Sequence, residues 1–218
     1  TFSRQGLVDK FPRAILNDTL NYYRPLMMGM LAQYKGKRGH QSVWIDWVSR
    51  KEGLDREQFL FGCSGSFKPV TDGPIYITNY FVMLHDASAE ISKPSDHVND
   101  NGAMQLNIGL DLSRKTFLDS LTIDVGGMMS LERARGISGW NLPKGVVANL
   151  FLGWRRFSLA DNFYCGEGSN IRYGDSFYSR RIYNRVDLSW TAIKYGAVQG
   201  RFIFSFHQMP DDLASNQQ

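Results

Sequence analysis

A chain of 218 residues with 43% hydrophobic residues, 21% charged residues and a formal charge of +4 is long enough for one large domain or two small ones. No apolar run approaches the ~20 residues a membrane-spanning helix needs, which excludes helical membrane proteins, while a mean hydropathy of −0.32 suits a soluble protein or a transmembrane barrel of alternating strands. The basic residues are scattered, with no basic helix or stacking platform that would bind nucleic acid, and Cys63 and Cys165 form no metal motif and require no disulfide.

Residues 1–25 contain "FPRAILNDTLNYYRP" with two prolines and are expected to form a loop or a short helix. From Leu26 the hydrophobic period is two rather than 3.6. Ten strands are expected, at 26–34, 41–50, 58–70, 75–86, 103–113, 121–132, 145–154, 157–166, 181–190 and 198–208. Side chains alternate between the two sides of a strand, so each segment defines two faces. The apolar faces are clearest at Met104, Leu106, Ile108 and Leu110, at Ile123, Val125 and Met129, and at Phe202, Phe204 and Phe206. These ten residues are expected to face lipid.

The opposite faces carry Gln105, Asn107, Asp111, Asp124, Arg185, Asp187 and Arg201, with Asp46 in the second strand. They are poor in the long Lys and Glu side chains of an open surface, which suits a confined polar lumen with paired charges. Tyr34, Trp44, Trp47, Tyr76, Trp154, Tyr164, Tyr183 and Trp190 stand near strand ends, where an aromatic girdle would place them. The connections alternate between shorter and longer, from "KGKRGH" and "TDGP" to "ASAEISKPSDHVNDNG" and "EGSNIRYGDSFYSR". Outer-membrane barrels have such parity, whereas a Greek-key sandwich has no reason for it.

The expected fold is therefore all-β: an antiparallel, transmembrane, up-and-down β-barrel over residues 26–208, with 209–218 beginning an extracellular loop. A closed barrel of this class needs an even strand number with both termini usually periplasmic, so further strands are expected at both ends of a longer protein.

"NDTLNYYRPLMMGMLAQY", "VWIDWVSRKEG", "REQFLFGCSGSF" and "RYGDSFYSRRIYNRVDLSW" with "GRFIFSFHQ" resemble segments of a large group of outer-membrane β-barrel proteins from Bacteroidota. The likeness covers most of residues 20–208. It implies location and architecture, in the outer membrane of a Gram-negative bacterium, but no reaction.

Candidate chemistry is sparse. "GCSGS" (62–66) is not a nucleophile elbow, because it lies within an alternating strand. Cys63 shares a face with Phe59, Phe61 and Phe67 and reads as an inert apolar residue. His85, Asp86, Asp96, His97 and Asp100 gather about one long connection, where they suit general base catalysis or a divalent cation. Arg172, Tyr173, Asp175, Phe177 and Tyr178 form a loop that either caps the pore or contacts an outside partner. The favoured expectation is a non-enzymatic channel, or a subunit or anchor of an envelope assembly. Its partners would be the bilayer, lipopolysaccharide and other envelope proteins, with no cofactor implied. A barrel hydrolase acting on lipid or envelope polymer through His85 or His97 is the alternative, and a secreted glycan-binding β-sandwich is a third.

Overall fold

The computed structural model describes residues 1–91 and 96–210. Two short strands, β1 (Phe2–Ser3) and β2 (Leu26–Met27), pair with each other across the N-terminal segment, which also holds helix α1 (Leu20–Tyr23). The period-two segments become β3 (Gly29–Gly36), β4 (Gly39–Ser49), β5 (Arg56–Phe67), β6 (Ile75–Ala89) and β7 (Asn99–Asp111). They continue as β8 (Ser120–Ala134), β9 (Lys144–Trp154), β10 (Phe157–Gly166), β11 (Ile182–Tyr195) and β12 (Val198–Gln208). All ten belong to one antiparallel sheet whose spatial order is the order of the chain. Such a meander has no Greek-key crossing, so it does not agree with the sandwich alternative. The sheet is not closed, since β3 and β12 are its two edges, and its curl is consistent with a barrel. Among the described residues no helix is long and apolar enough to cross a membrane. Residues 211–218, within the expected terminal loop, lie outside the described residues.

The connections 37–38, 68–74, 112–119, 155–156 and 196–197, from two to eight residues long, share one end of the sheet, and 50–55, 90–98, 135–143 and 167–181, from six to fifteen residues long, share the other. Strands β6, β7 and β8 extend beyond the expected limits at the long-loop end. The hydrophobic alternation fades there, but the pairing continues through His85↔Asp100↔Arg133 and Leu84↔Asn101↔Glu132. Backbone hydrogen bonding is indifferent to side-chain polarity, so polar rows extended the strands unseen.

One face of the sheet is filled. Trp44, Leu60, Val82, Ala103, Met128, Val147, Tyr164 and Tyr183 form a single buried cluster with Phe11, Ile15 and Leu20 of the N-terminal segment and Tyr178 of loop 167–181. Burial of each large apolar side chain of the segment contributes roughly 1.5–3 kcal/mol. Trp44, Tyr164 and Tyr183 are thus core residues, not members of a girdle, and Tyr76 turns inward to donate to Asp124 (3.1 Å). Glycines make room for two of them. A Cβ at Gly62 would lie 2.1 Å from the Trp44 ring, and one at Gly145 would lie 2.3 Å from the Tyr164 ring. Trp47, Trp154 and Trp190 do remain exposed. Near the 155–156 turn, Trp190 stacks on Phe157 (6.3 Å) and Phe202 (5.8 Å).

Residues 1–25 lie along the filled face as a strap. Arg4 donates to Asp46 at 2.6 Å, both being almost fully buried, and Asp46 also accepts from the Met28 N–H (2.8 Å). Asp9 accepts from Ser64 (2.7 Å) and meets His40 (3.1 Å). The Asn17 N–H donates to Tyr173 O and the Asp175 N–H to Arg13 O, tying strap to loop.

Candidate functional site at the long-loop rim

Strand parity places the expected residues on two sides. Met104, Leu106, Ile108, Leu110, Ile123, Val125, Met129, Phe202, Phe204 and Phe206 all point away from the strap, and all but Met129 are exposed. Asp46, Gln105, Asn107, Asp111, Asp124, Arg185, Asp187 and Arg201 share the inner face. There Asp124 accepts from Tyr76, Asn107 and Asn149. Arg185 donates to Asp187 (2.8 Å), which Arg13 of the strap approaches at 3.6 Å. Asp111 pairs with Lys68 (3.3 Å). Of these groups Asn107, Asp124, Asp187, Tyr76, Asn149 and Arg13 line a pocket of about 300 Å³ beside the strap, so these inner polar residues are largely occupied with one another and with the strap.

The loop residues are folded inward. Asp175 caps the 3-10 turn Ser176–Ser179, and Phe177 stacks on Tyr183 at 5.3 Å. Tyr178 is buried against Tyr164 and Tyr183, which pushes its phenol pKa up. Tyr173 supplies a carbonyl to the strap. Of the five, Arg172 is the most open; its guanidinium donates to Asp86 (3.1 Å) and its N–H to Asn101. The loop is a cap built into the core, with Arg172 at its surface.

The titratable residues around the β6–β7 connection separate by parity. Asp86 is on the inner side, where Arg56 (2.9 Å) and Arg172 hold it, and Arg56 also donates to the His97 carbonyl. His85 and Asp100 face outward. His85 Nδ1 lies 2.7 Å from Asp100 Oδ1. The other carboxylate oxygen accepts from Arg133 (2.7 Å) and Arg135 (2.9 Å). These cations cover Asp100, leaving it 5% exposed, whereas His85 is 35% and Arg135 51% exposed. Burial alone would raise the Asp100 pKa, but hydrogen bonds from Arg135, His85 and Arg133 outweigh it and hold the carboxyl well below the usual range. Trp140 of loop 135–143 lies against Arg133, ring centroid to guanidinium 4.3 Å. Among the described residues no group of three or more His, Cys, Asp or Glu side chains is placed to hold a metal ion, so the five residues do not converge on a cation.

An ionised Asp100 can only accept, so His85 Nδ1 donates to it; this fixes the ring's orientation and, in the neutral imidazole, leaves the lone pair on Nε2. This is the arrangement of a general base held by a carboxylate. Arg133, Arg135 and Trp140 went unnoticed in the sequence. The alternation of Arg133 with Arg135 in "ERARG" continues the outward parity of β8 and would have placed both beside Asp100 once the strand was extended. Cys63 and Cys165 are free thiols, and Cys63 Sγ accepts from the Gln41 amide at 2.9 Å.

Fold and rim together define a curled, all-β, up-and-down sheet protein whose interior is filled and whose accessible charged cluster sits at the outer rim. Residues 4–205 match the lipid A 3′-O-deacylase-type family, and the chain belongs to that family. No curated protein and no solved structure matches it. The family description names an enzyme activity, which overturns the expectation of a non-enzymatic channel or anchor and the expectation that the protein is not an enzyme. Segment likeness implied no reaction because the matching segments, drawn from wall strands, the strap and the cap loop, carry no catalytic signature.

Proposed function

We propose that the protein is a hydrolase of the Gram-negative outer membrane that spans it as a β-barrel and removes an ester-linked acyl chain from lipid A, the acylated anchor of lipopolysaccharide. The family match over residues 4–205 carries this reading. The His85–Asp100 pair supports it, since it is a carboxylate-held imidazole on the outward side of the wall, the side the ten apolar residues would turn to lipid. The long-loop end would then be extracellular.

In this mechanism His85 Nε2 takes a proton from water as the water oxygen attacks the ester carbonyl carbon. The tetrahedral intermediate collapses with cleavage of the bond to the sugar oxygen, and the imidazolium returns its proton to that oxygen. The products are a fatty acid, ionised at neutral pH, and a free hydroxyl, with no other reactant consumed. Asp100 is a positioning residue that stabilises the imidazolium. Arg133 and Arg135 offer guanidinium N–H groups beyond those spent on Asp100, suited to the developing oxyanion or to a phosphate on the sugar.

The test is purified protein in detergent micelles with lipid A, followed by mass spectrometry. The expected result is loss of one acyl chain by wild type and a fall of about 10²–10⁴-fold in kcat for His85→Gln with an unchanged unfolding midpoint. Undiminished turnover in His85→Gln would remove His85 from the mechanism, and no acyl loss with wild type would overturn the function.

A further inference from the structure

Directly below the rim cluster the outward face is not smooth. His85, Asp100 and Arg133 form one cross-strand row. The next outward row is Met83, Gly102 and Leu131, then Phe81, Met104 and Met129, then Asn79, Leu106 and Gly127. Gly127 leaves a gap in the apolar surface: a Cβ built there meets nothing within 4 Å. Phe81, Met104, Leu106 and Met129 border the gap with Asn79, and Lys144 stands at its upper edge. Together they enclose an open trough of about 700 Å³. Strand rise of ~3.3 Å per residue puts its far end roughly 20 Å from the His85 row, six residues along the strand.

Most positions on this face carry a side chain that would smooth the wall against lipid, such as Ile108, Leu110, Ile123 and Val125, all exposed. Glycine in a strand interior weakens the strand and marks a close approach by something else. Pairing on both sides of Gly127 runs without a register shift, so no bulge explains the glycine, and no described protein atom stands within 4 Å of a Cβ there, which favours a ligand. Two methionines at the rim of the gap are unbranched, flexible side chains that adapt to a ligand of variable shape. Lys144 gives the upper end of the trough a cation, and Arg133 and Arg135 stand at the rim above it beside Asp100, where they complement a phosphorylated headgroup; the trough below is mainly hydrocarbon, with the Asn79 amide at its lower end.

We infer that the trough over Gly127 is an acyl-chain site that seats a fatty chain of the anionic glycolipid substrate below the His85–Asp100 pair and sets which chain length is accepted. The identity of the occupant rests on the proposed function; the trough itself does not. Gly102, in the row between pair and trough, is covered by the flexible Met83 side chain, whose Sδ would lie 3.1 Å from a Cβ there.

The test uses the full chain in detergent micelles and reads binding separately from hydrolysis. Gly127→Leu puts a side chain into the trough from a Cβ position that meets no described protein atom, and Val125→Leu, two residues along the same face, is the control. By native mass spectrometry, wild type and the control are expected to retain one lipid A molecule. Gly127→Leu is expected to retain at least fivefold less, and to shift hydrolysis of an acyl-length series of lipid A towards shorter chains. Retention and chain-length profile unchanged in Gly127→Leu would overturn the site. Equal retention of phosphatidylglycerol and lipid A, lost alike in Gly127→Leu, would overturn the glycolipid as its occupant. Retention lost in Gly127→Leu without hydrolysis by wild type would refute the proposed function and uphold an acyl site.

Discussion

The Arg4–Asp46 pair gives the sharpest test of the filled interior. Asp46 is 0% and Arg4 2% exposed. Asp46 is satisfied by the guanidinium on one oxygen and by the Met28 N–H on the other. Arg4 Nε donates to the Arg24 carbonyl, and Nη1 is buried without a partner among the described residues. Burial draws the Arg4 pKa down while Asp46 opposes it, and the group stays charged at neutral pH. Asp46→Ala therefore strands a buried cation. Breaking a buried pair from one side costs about 3–5 kcal/mol, a large share of a typical stability of ~5–15 kcal/mol. Arg4→Met combined with Asp46→Leu removes both charges and fills the volume, and should fall within ~1 kcal/mol of wild type. Two readouts separate local from global effects. Urea unfolding in micelles reports global stability through Trp44, whose ring lies 5.6 Å from the Arg4 guanidinium. Trypsin cleavage after Lys10 and Arg13 reports release of the strap. Asp46→Ala should expose both sites before the sheet unfolds. A single variant costing under ~1 kcal/mol with the strap still protected, or a double variant as damaged as the single, would refute a strap held by this pair.

Planar-bilayer recordings should show no steady ion conductance from wild type, because the strap and loop 167–181 occupy the inner face; a stable aqueous conductance would contradict a filled interior. For the faces of the wall, Ile108→Arg should cost ~2–4 kcal/mol at the bilayer midplane, while Arg201→Gln, inward and exposed, should stay within ~0.5 kcal/mol; equal costs would reverse the faces. Asn107→Arg is a poor inward comparator, because Asn107 is buried and donates to Asp124 at 2.9 Å. Asp100 is held below the ~3.9 of an unfolded Asp. Its contribution to stability is thus complete above about pH 4 and is lost as pH falls through the folded value. Asp100→Asn should flatten that acid limb in urea titrations between pH 2 and 6, and an unchanged limb would assign the acid sensitivity elsewhere.

Much of the wall was legible because one physical rule writes it. A strand with one face against apolar surroundings repeats every two residues, and β10 and β12 begin and end where the alternation does. The rule fails where both faces are polar, which is why β7 continues four residues before Ala103 and why the outward row His85–Asp100–Arg133 stayed hidden. It also cannot tell an aromatic that faces lipid from one that faces a strap. Trp44 and Trp190 look alike in sequence, yet one sits over Gly62 in the core and the other stacks outside. The strap itself has no period to read. Its place is fixed by single contacts of high sequence separation, Arg4 to Asp46 and Asp9 to Ser64, which no local pattern encodes.

The filling of the interior bears on where chemistry can occur. Asp124, Asp187 and Arg185 looked like lumen charges, and they are on that face, but Asn107, Asn149, Tyr76 and Arg13 take up their hydrogen-bonding capacity. A carboxylate already accepting three hydrogen bonds is a poor base, and a pocket covered by the strap and lined by such groups offers no route to a chain embedded in lipid. The outer rim differs on both counts. His85 is over a third exposed, its partner Asp100 is fixed by two arginines, and the apolar face begins one row below. An amphiphile arriving along the wall would meet its headgroup partners, a base and an apolar trough in that order. Under the proposed function, the strap gives the wall rigidity from within while the site works on its outside. The two can then be separated by experiment: Asp46→Ala should loosen the strap with kcat little changed at low temperature, and His85→Gln should cut kcat by about 10²–10⁴-fold with the strap in place.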